Sequence, residues 1–182
     1  MIAILLLAAI RWKAPEPIPL SEPFTAGCLF KITDYELNAS LMSASGLDRA
    51  TKTWHWLSMR ARWVYHKSAH TTNSVVDCQS YHMGTRPNVN QGAARNFYGT
   101  YPTGTWHQVA ISSTRAVARY YLDGVEVGSI VHAPPLEASL AIDSISFGDK
   151  GMEVADEFVS DLALSGPELA ERCRREIAAR EQ

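Results

Sequence analysis

The sharpest pattern of apolar and polar positions runs from Phe24 to Ile32, where Phe24, Ala26, Cys28, Phe30 and Ile32 recur at every second residue. A period of two puts those five side chains on one face and predicts a half-buried strand. Thr53 to His66 repeats the pattern over a longer stretch. His55, Leu57, Met59, Ala61, Trp63 and Tyr65 read as its core face. Trp54, Trp56, Ser58, Arg60, Arg62, Val64 and His66 read as an exposed, adhesive face, and a bulge near Met59 would swap the two partway. Shorter strands are predicted at Leu37–Ser43, Val75–Met83, Trp106–Ser112, Leu140–Phe147 and Val154–Leu162. Between them, Ser45-Gly46 with Asp48 reads as a turn and Ser68–Ser74 as a polar loop. Gly84–Gly104, rich in Gly, Asn, Pro and Thr, reads as a long surface excursion with little regular structure.

Two local signals are more specific. Val117–Leu122 and Val125–Ile130 flank Asp123-Gly124, and a two-residue Asp-Gly link between apolar arms favours a type I′ hairpin, because both central residues need positive φ. Ser165, Pro167 and Glu168 then announce a helix: Ser and Glu three apart form a capping box, and Pro suits the first turn. Leu169, Cys173 and Ile177 give that helix a narrow apolar stripe, with alternating Arg and Glu outside it. Many short strands and one late helix predict an all-β sandwich or jelly roll.

The two ends extend that core. Met1 to Ile10 is uninterrupted apolar sequence, followed by Arg11, Trp12 and Lys13. It is too short to span a bilayer, and its basic residues follow the apolar run, whereas a secretion signal places them before it. It reads either as a buried strand or as an arm, carried by Ile2, Ile4, Leu6 and Trp12, that docks on a partner chain. Pro15, Pro17, Pro19 and Pro23 make Ala14–Pro23 an extended connector with few ladder donors. The expected organisation is therefore residues 1–23 as arm and connector, 24–164 as the sandwich, and 165–182 as an amphipathic helix.

Composition narrows the function classes. The chain has 182 residues, 46% hydrophobic and 20% charged, which suits one globular domain. A net charge of −2 predicts no general affinity for nucleic acid or anionic membrane. Cys28, Cys78 and Cys173 are odd in number and lack a C-x-x-C pair, which argues against a disulfide framework or a thiolate zinc site. Reduced thiols in a protein that matures inside a cell are the simplest reading, with one disulfide plus one free thiol as the alternative.

Three pieces in order, Gly104-Thr-Trp-His-Gln-Val-Ala-Ile, Tyr121-Leu-Asp-Gly-Val-Glu-Val and Asp156-Glu-Phe-Val-Ser-Asp-Leu-Ala-Leu-Ser-Gly-Pro-Glu-Leu, resemble the laminin-G-like, concanavalin-A-like jelly-roll family. The resemblance spans Phe24 to Leu169 and is specific only after Gly104. It implies a laminin-G-like sandwich with Trp106 packed between the sheets. Members of that fold bind glycans or proteins, decorate larger structures, or hydrolyse polysaccharides, so fold alone does not choose among them.

No catalytic residue is assigned. Sandwich glycosidases need carboxylates on alternate positions of one strand, and in Glu153, Asp156 and Glu157 the middle acid would point away from the other two. No cofactor is expected. Asp143, Asp149, Asp156 and Glu157 allow a structural calcium, but no loop carries a dense ligand pattern, and His66 with His70 lacks the helical setting that would give its spacing meaning. Trp54, Trp56, Arg60 and Arg62, together with Asn96, Tyr98 and Tyr101 from the 84–104 segment, are the candidates for binding a glycan or a partner, since tryptophan stacks on sugar rings and tryptophan and arginine anchor interfaces. The expected function is a structural or adhesive component of a larger oligomeric assembly of protein subunits, in the manner of a bacteriophage decoration, fibre or tail protein made in the host cytoplasm. The alternative is a carbohydrate-binding, lectin-like module acting on cell-surface glycans, with an extracellular location.

Overall fold

The computed structural model describes residues 10–33, 39–48, 53–66, 71–83, 91–98, 104–131, 141–149 and 151–181. They form eleven strands and one helix: β1 (Ile10–Pro19), β2 (Phe24–Ile32), β3 (Ala39–Asp48), β4 (Thr53–His66), β5 (Thr71–Met83), β6 (Gln91–Tyr98), β7 (Trp106–Ser113), β8 (Val117–Leu122), β9 (Val125–Val131), β10 (Ala141–Phe147), β11 (Met152–Ser160) and α1 (Gly166–Arg180). Two antiparallel sheets face each other, a six-stranded one ordered β1-β10-β3-β4-β5-β6 and a five-stranded one ordered β11-β2-β7-β8-β9. This is the expected jelly-roll sandwich with a C-terminal helix.

The core between the sheets is built from alternate residues of both. Phe24, Ala26, Cys28, Phe30 and Ile32 of β2 meet Val109, Ile111, Tyr120 and Leu122 from their own sheet and Met42, Ala44, Leu57, Ile145 and Phe147 from the other. β2 is buried on its second face as well. Leu29 packs with Ala155 and Cys173, and Ala110 and Tyr121 pack with Leu169, because α1 lies across the outer surface of the five-stranded sheet. A strand that reads as half-buried is thus central and doubly covered, and the reason is the helix.

α1 begins as its sequence predicts, with the Ser165–Glu168 capping box formed and Glu168 accepting from the Ser165 backbone N–H at 2.7 Å. It is held down at three places. Gly124 of the β8–β9 turn abuts Ala170, Arg172 lies over the Phe158 ring at 3.8 Å, and Arg180 pairs with Asp156 at 2.7 Å.

Several sequence expectations need correction. Ser45-Gly46 is not a turn but lies inside β3; Gly46 is required there because a Cβ would collide with the Ala141 carbonyl of β10. The 84–104 segment contains a regular strand, β6, fully paired with β5, and β5 begins at Thr71, inside the expected polar loop. The β4–β5 ladder runs without a shift from Trp54↔Met83 to His66↔Thr71, so β4 keeps its faces; the bulge lies in β3 instead, between Ser40 and Met42. Trp106 does not pack between the sheets: it sits on the outer surface under α1, beside Ile177. The proline-rich stretch contributes to β1, whose register with β10 breaks between Lys13 and Ile18, where Pro15 and Pro17 supply no N–H.

Candidate functional site

The outer face of the six-stranded sheet is defined by register. Met42, Ala44, Leu57, Ile145 and Phe147 point into the core, so the intervening positions form the opposite surface. Cross-strand pairing arranges them in rows. One row runs Lys13–Ser144–Ser45–Trp56–Tyr81–Gly92, and the next runs Arg11–Ser146–Ser43–Ser58–Gln79–Ala94. Two shorter rows follow, Ser40–Arg60–Asp77–Asn96 and Arg62–Val75–Tyr98. In the β1–β3 half, Arg11 and Lys13 are exposed and Ser43, Ser45, Ser144 and Ser146 are half-buried.

Sequence reasoning proposed Trp54, Trp56, Arg60, Arg62, Asn96 and Tyr98 as two separate groups, a strand and a loop. The ladder joins them: Arg60 and Asn96 share a row through Asp77, and Arg62 and Tyr98 share the next through Val75. Tyr101, Ile2, Ile4 and Leu6 lie outside the described residues. Trp12 lies in β1, in register with Ile145. The rows also bring in Arg11, Lys13 and the serines of β3 and β10, which sequence reasoning did not select. The usable signal was the polar–apolar–polar order Arg11-Trp12-Lys13, a strand pattern obscured by the apolar run before it.

The opposite side of the sandwich carries a second concentration of polar groups, centred on Asp123. Its backbone has φ 50°, the left-handed value required by the Asp-Gly turn. Its carboxylate accepts the Gln108 backbone N–H at 2.7 Å, meets His107 Nδ1 at 2.8 Å and receives the Cys173 thiol at 3.8 Å. These groups line a cleft of about 410 Å3 between the β8–β9 turn and α1, with Trp106 and Ile177 as its apolar wall. Cysteine, histidine and aspartate together suggest a nucleophile, but the order of contacts is wrong for one. The thiol faces the carboxylate, not the imidazole, and burial together with the Asp123 charge pushes its pKa up to about 12. A protonated thiol on the buried face of a helix is a packing group. Cys28, deep in the core, is likewise raised by burial.

The acidic cluster is occupied by ion pairs. Glu153 pairs with Lys31 at 2.8 Å and Asp156 with Arg180 at 2.7 Å, while a bulge between Ala155 and Phe158, with Asp156 at φ 51°, breaks the alternation a two-carboxylate mechanism needs. Among the described residues no three His, Cys, Asp or Glu side chains are gathered to hold a metal ion, and no helix is long and apolar enough to cross a membrane.

No protein-family model matches the sequence, and no curated protein matches it as a relative. Solved structures do match in fold. Domain 4 of an extracellular arabinanase from Geobacillus stearothermophilus, in complex with arabinotriose, aligns with a TM-score of 0.53 and 18% identity over 91% of this chain and 72% of that one. A heptameric pentraxin from Limulus polyphemus aligns at 0.52 and 12% identity, over 93% and 76%. The binding domain of botulinum neurotoxin DC, in complex with rat synaptotagmin II, aligns at 0.51 and 12% identity, over 85% of this chain. This chain spans only 36% of that toxin domain. At such identities the likeness concerns architecture: the chain has the two-sheet, jelly-roll fold shared by these lectin-like binding domains.

Proposed function

We propose that this chain is a non-catalytic binding module that holds carbohydrate on the outer face of its six-stranded sheet, around Trp54, Trp56, Arg60, Arg62, Asn96 and Tyr98. The observation that carries the reading is the β4–β5–β6 register, which gathers aromatic, guanidinium and amide positions from two distant stretches of sequence into adjacent rows. Aromatic faces stack on sugar rings while charged and amide groups select hydroxyls. The fold's likeness to a domain solved with arabinotriose supports this choice. A glycan array followed by titration of the best ligand tests it: Trp54→Ala and Trp56→Ala should each weaken binding by about tenfold or more, on the scale of a lost stacking contact. An array without signal, or binding that survives both substitutions, would refute it.

A second reading keeps the chain as a structural or adhesive subunit of a larger assembly, such as a bacteriophage virion. Two sheet edges favour it. β1 continues directly from the apolar Met1–Ala9 sequence, and β9, the edge of the other sheet, exposes Val125 and Val131. Unpaired edges accept a strand from a neighbour. Deleting Met1–Ala9 should then abolish oligomers seen by light scattering; a full-length chain that is monomeric at all concentrations would remove this reading. A glycan-binding virion subunit satisfies both.

A further inference from the structure

We infer that the ligand of this face is an acidic polysaccharide, and that its site extends across the whole six-stranded sheet to Arg11 and Lys13 on β1. The inference rests on the carbohydrate-binding reading above and specifies its ligand class. The rows carry four cations, Arg11, Lys13, Arg60 and Arg62, against a single carboxylate, Asp77, in a chain whose net charge is −2. These rows are therefore locally cationic in a chain of net negative charge, which favours anionic ligands at this face.

The arrangement within the face fits a chain molecule. Ser43, Ser45, Ser144 and Ser146 lie between the two cationic sides, half-buried and short. They make a low hydroxyl-rich floor with the exposed Arg11 and Lys13 along one edge and the row positions of Trp56, Arg60 and Arg62 on the far side. β1 and β4 are three strand spacings apart, about 14 Å, which several linked sugars would cover. A chain crossing from the Trp56 row would pass over the serines, with its carboxylate or sulfate groups at Lys13 and Arg11. That separation is also close to the screening length of about 10 Å at moderate salt, so both edges act on one ligand at low ionic strength and lose hold of it as salt rises.

The test is calorimetric titration of the full chain with a panel of neutral and acidic polysaccharides, linear arabinan and polygalacturonate among them, at low and high salt. Duplex DNA serves as a non-carbohydrate polyanion. The variant is Arg11→Gln with Lys13→Gln, two exposed positions whose replacement should leave the thermal midpoint in place. Polygalacturonate should bind more tightly than arabinan and weaken with salt, and the double variant should lose about tenfold on the acidic polymer and nothing on a neutral one. Binding of neutral polymers alone, or acidic binding unchanged in the double variant, overturns the inference and leaves the carbohydrate module standing. DNA binding as tight as polygalacturonate also overturns it, by showing a surface that reads charge and not sugar. If no polysaccharide binds, the parent reading fails as well.

Discussion

Asp123→Ala should lower stability by about 3 kcal/mol, because one side chain performs three separate tasks. The residue sits at φ 50°, where alanine costs about 1–2 kcal/mol and Asn or Asp is tolerated. Its carboxylate accepts the Gln108 N–H at 2.7 Å, a charge-assisted bond whose loss costs about 1.5–3 kcal/mol. The contact with His107 adds little, about 0.5 kcal/mol, since the Asp123 side chain is 39% exposed and screened by water. Partial replacement by solvent brings the total back to about 3 kcal/mol, a fall of about 6–12 °C in the thermal midpoint for a domain of this size. Asp123→Asn keeps the backbone conformation and one acceptor and should lose about 1 kcal/mol. Urea unfolding followed by fluorescence and far-ultraviolet circular dichroism gives both values. If alanine costs less than about 0.5 kcal/mol, or if alanine and asparagine cost the same, Asp123 is not the tie between hairpin, β7 and helix described here.

Other consequences of the same geometry are equally direct. Gly124→Ala adds a Cβ against Ala170 at φ 77° and should loosen α1, seen as faster amide exchange in residues 166–180. Cys173 and Cys28, both raised by burial, should resist iodoacetamide at pH 8 in peptide mapping, and Asp123→Asn should speed labelling of Cys173; rapid native labelling of Cys28 would contradict its place in the core. Burial where α1 packs on the sheet raises the Glu176 pKa above its ordinary 4.5, against the pull of Arg172 at 2.6 Å. The proton is then bound more tightly by the folded chain, so this stability is fully present below pH 4.5 and is lost as pH rises through the raised value. Glu176→Gln should flatten that slope in urea titrations, and an unchanged slope would show that the carboxylate is solvated.

What could be read from sequence was what neighbours in sequence decide. The Asp123-Gly124 hairpin and the Ser165–Glu168 cap are local chemistry, and each appears where the residues put it. β2 was legible in extent because its alternation is strict, but not in burial, since Leu29 is covered by a helix more than a hundred residues further on. Gly46 read as a turn because its function is contact with β10, a strand about a hundred residues away. β6 was hidden in a composition typical of loops, and pairing with β5 overrides that preference. The candidate site suffered most from this. Trp56 and Arg60 were visible as an alternating stretch, but their grouping with Asn96, Tyr98, Ser45 and Lys13 exists only in the ladder.

The helix laid over the five-stranded sheet gives the molecule a front and a back. With β2, β7 and β11 roofed by α1, the outer face of the six-stranded sheet and the helix end at Arg180 lie on opposite sides of the sandwich. A surface immobilised through a C-terminal tag would present that sheet outward, whereas coupling through Lys13 would turn it toward the support. Attachment chemistry alone could thus decide whether such a module looks active on a sensor chip.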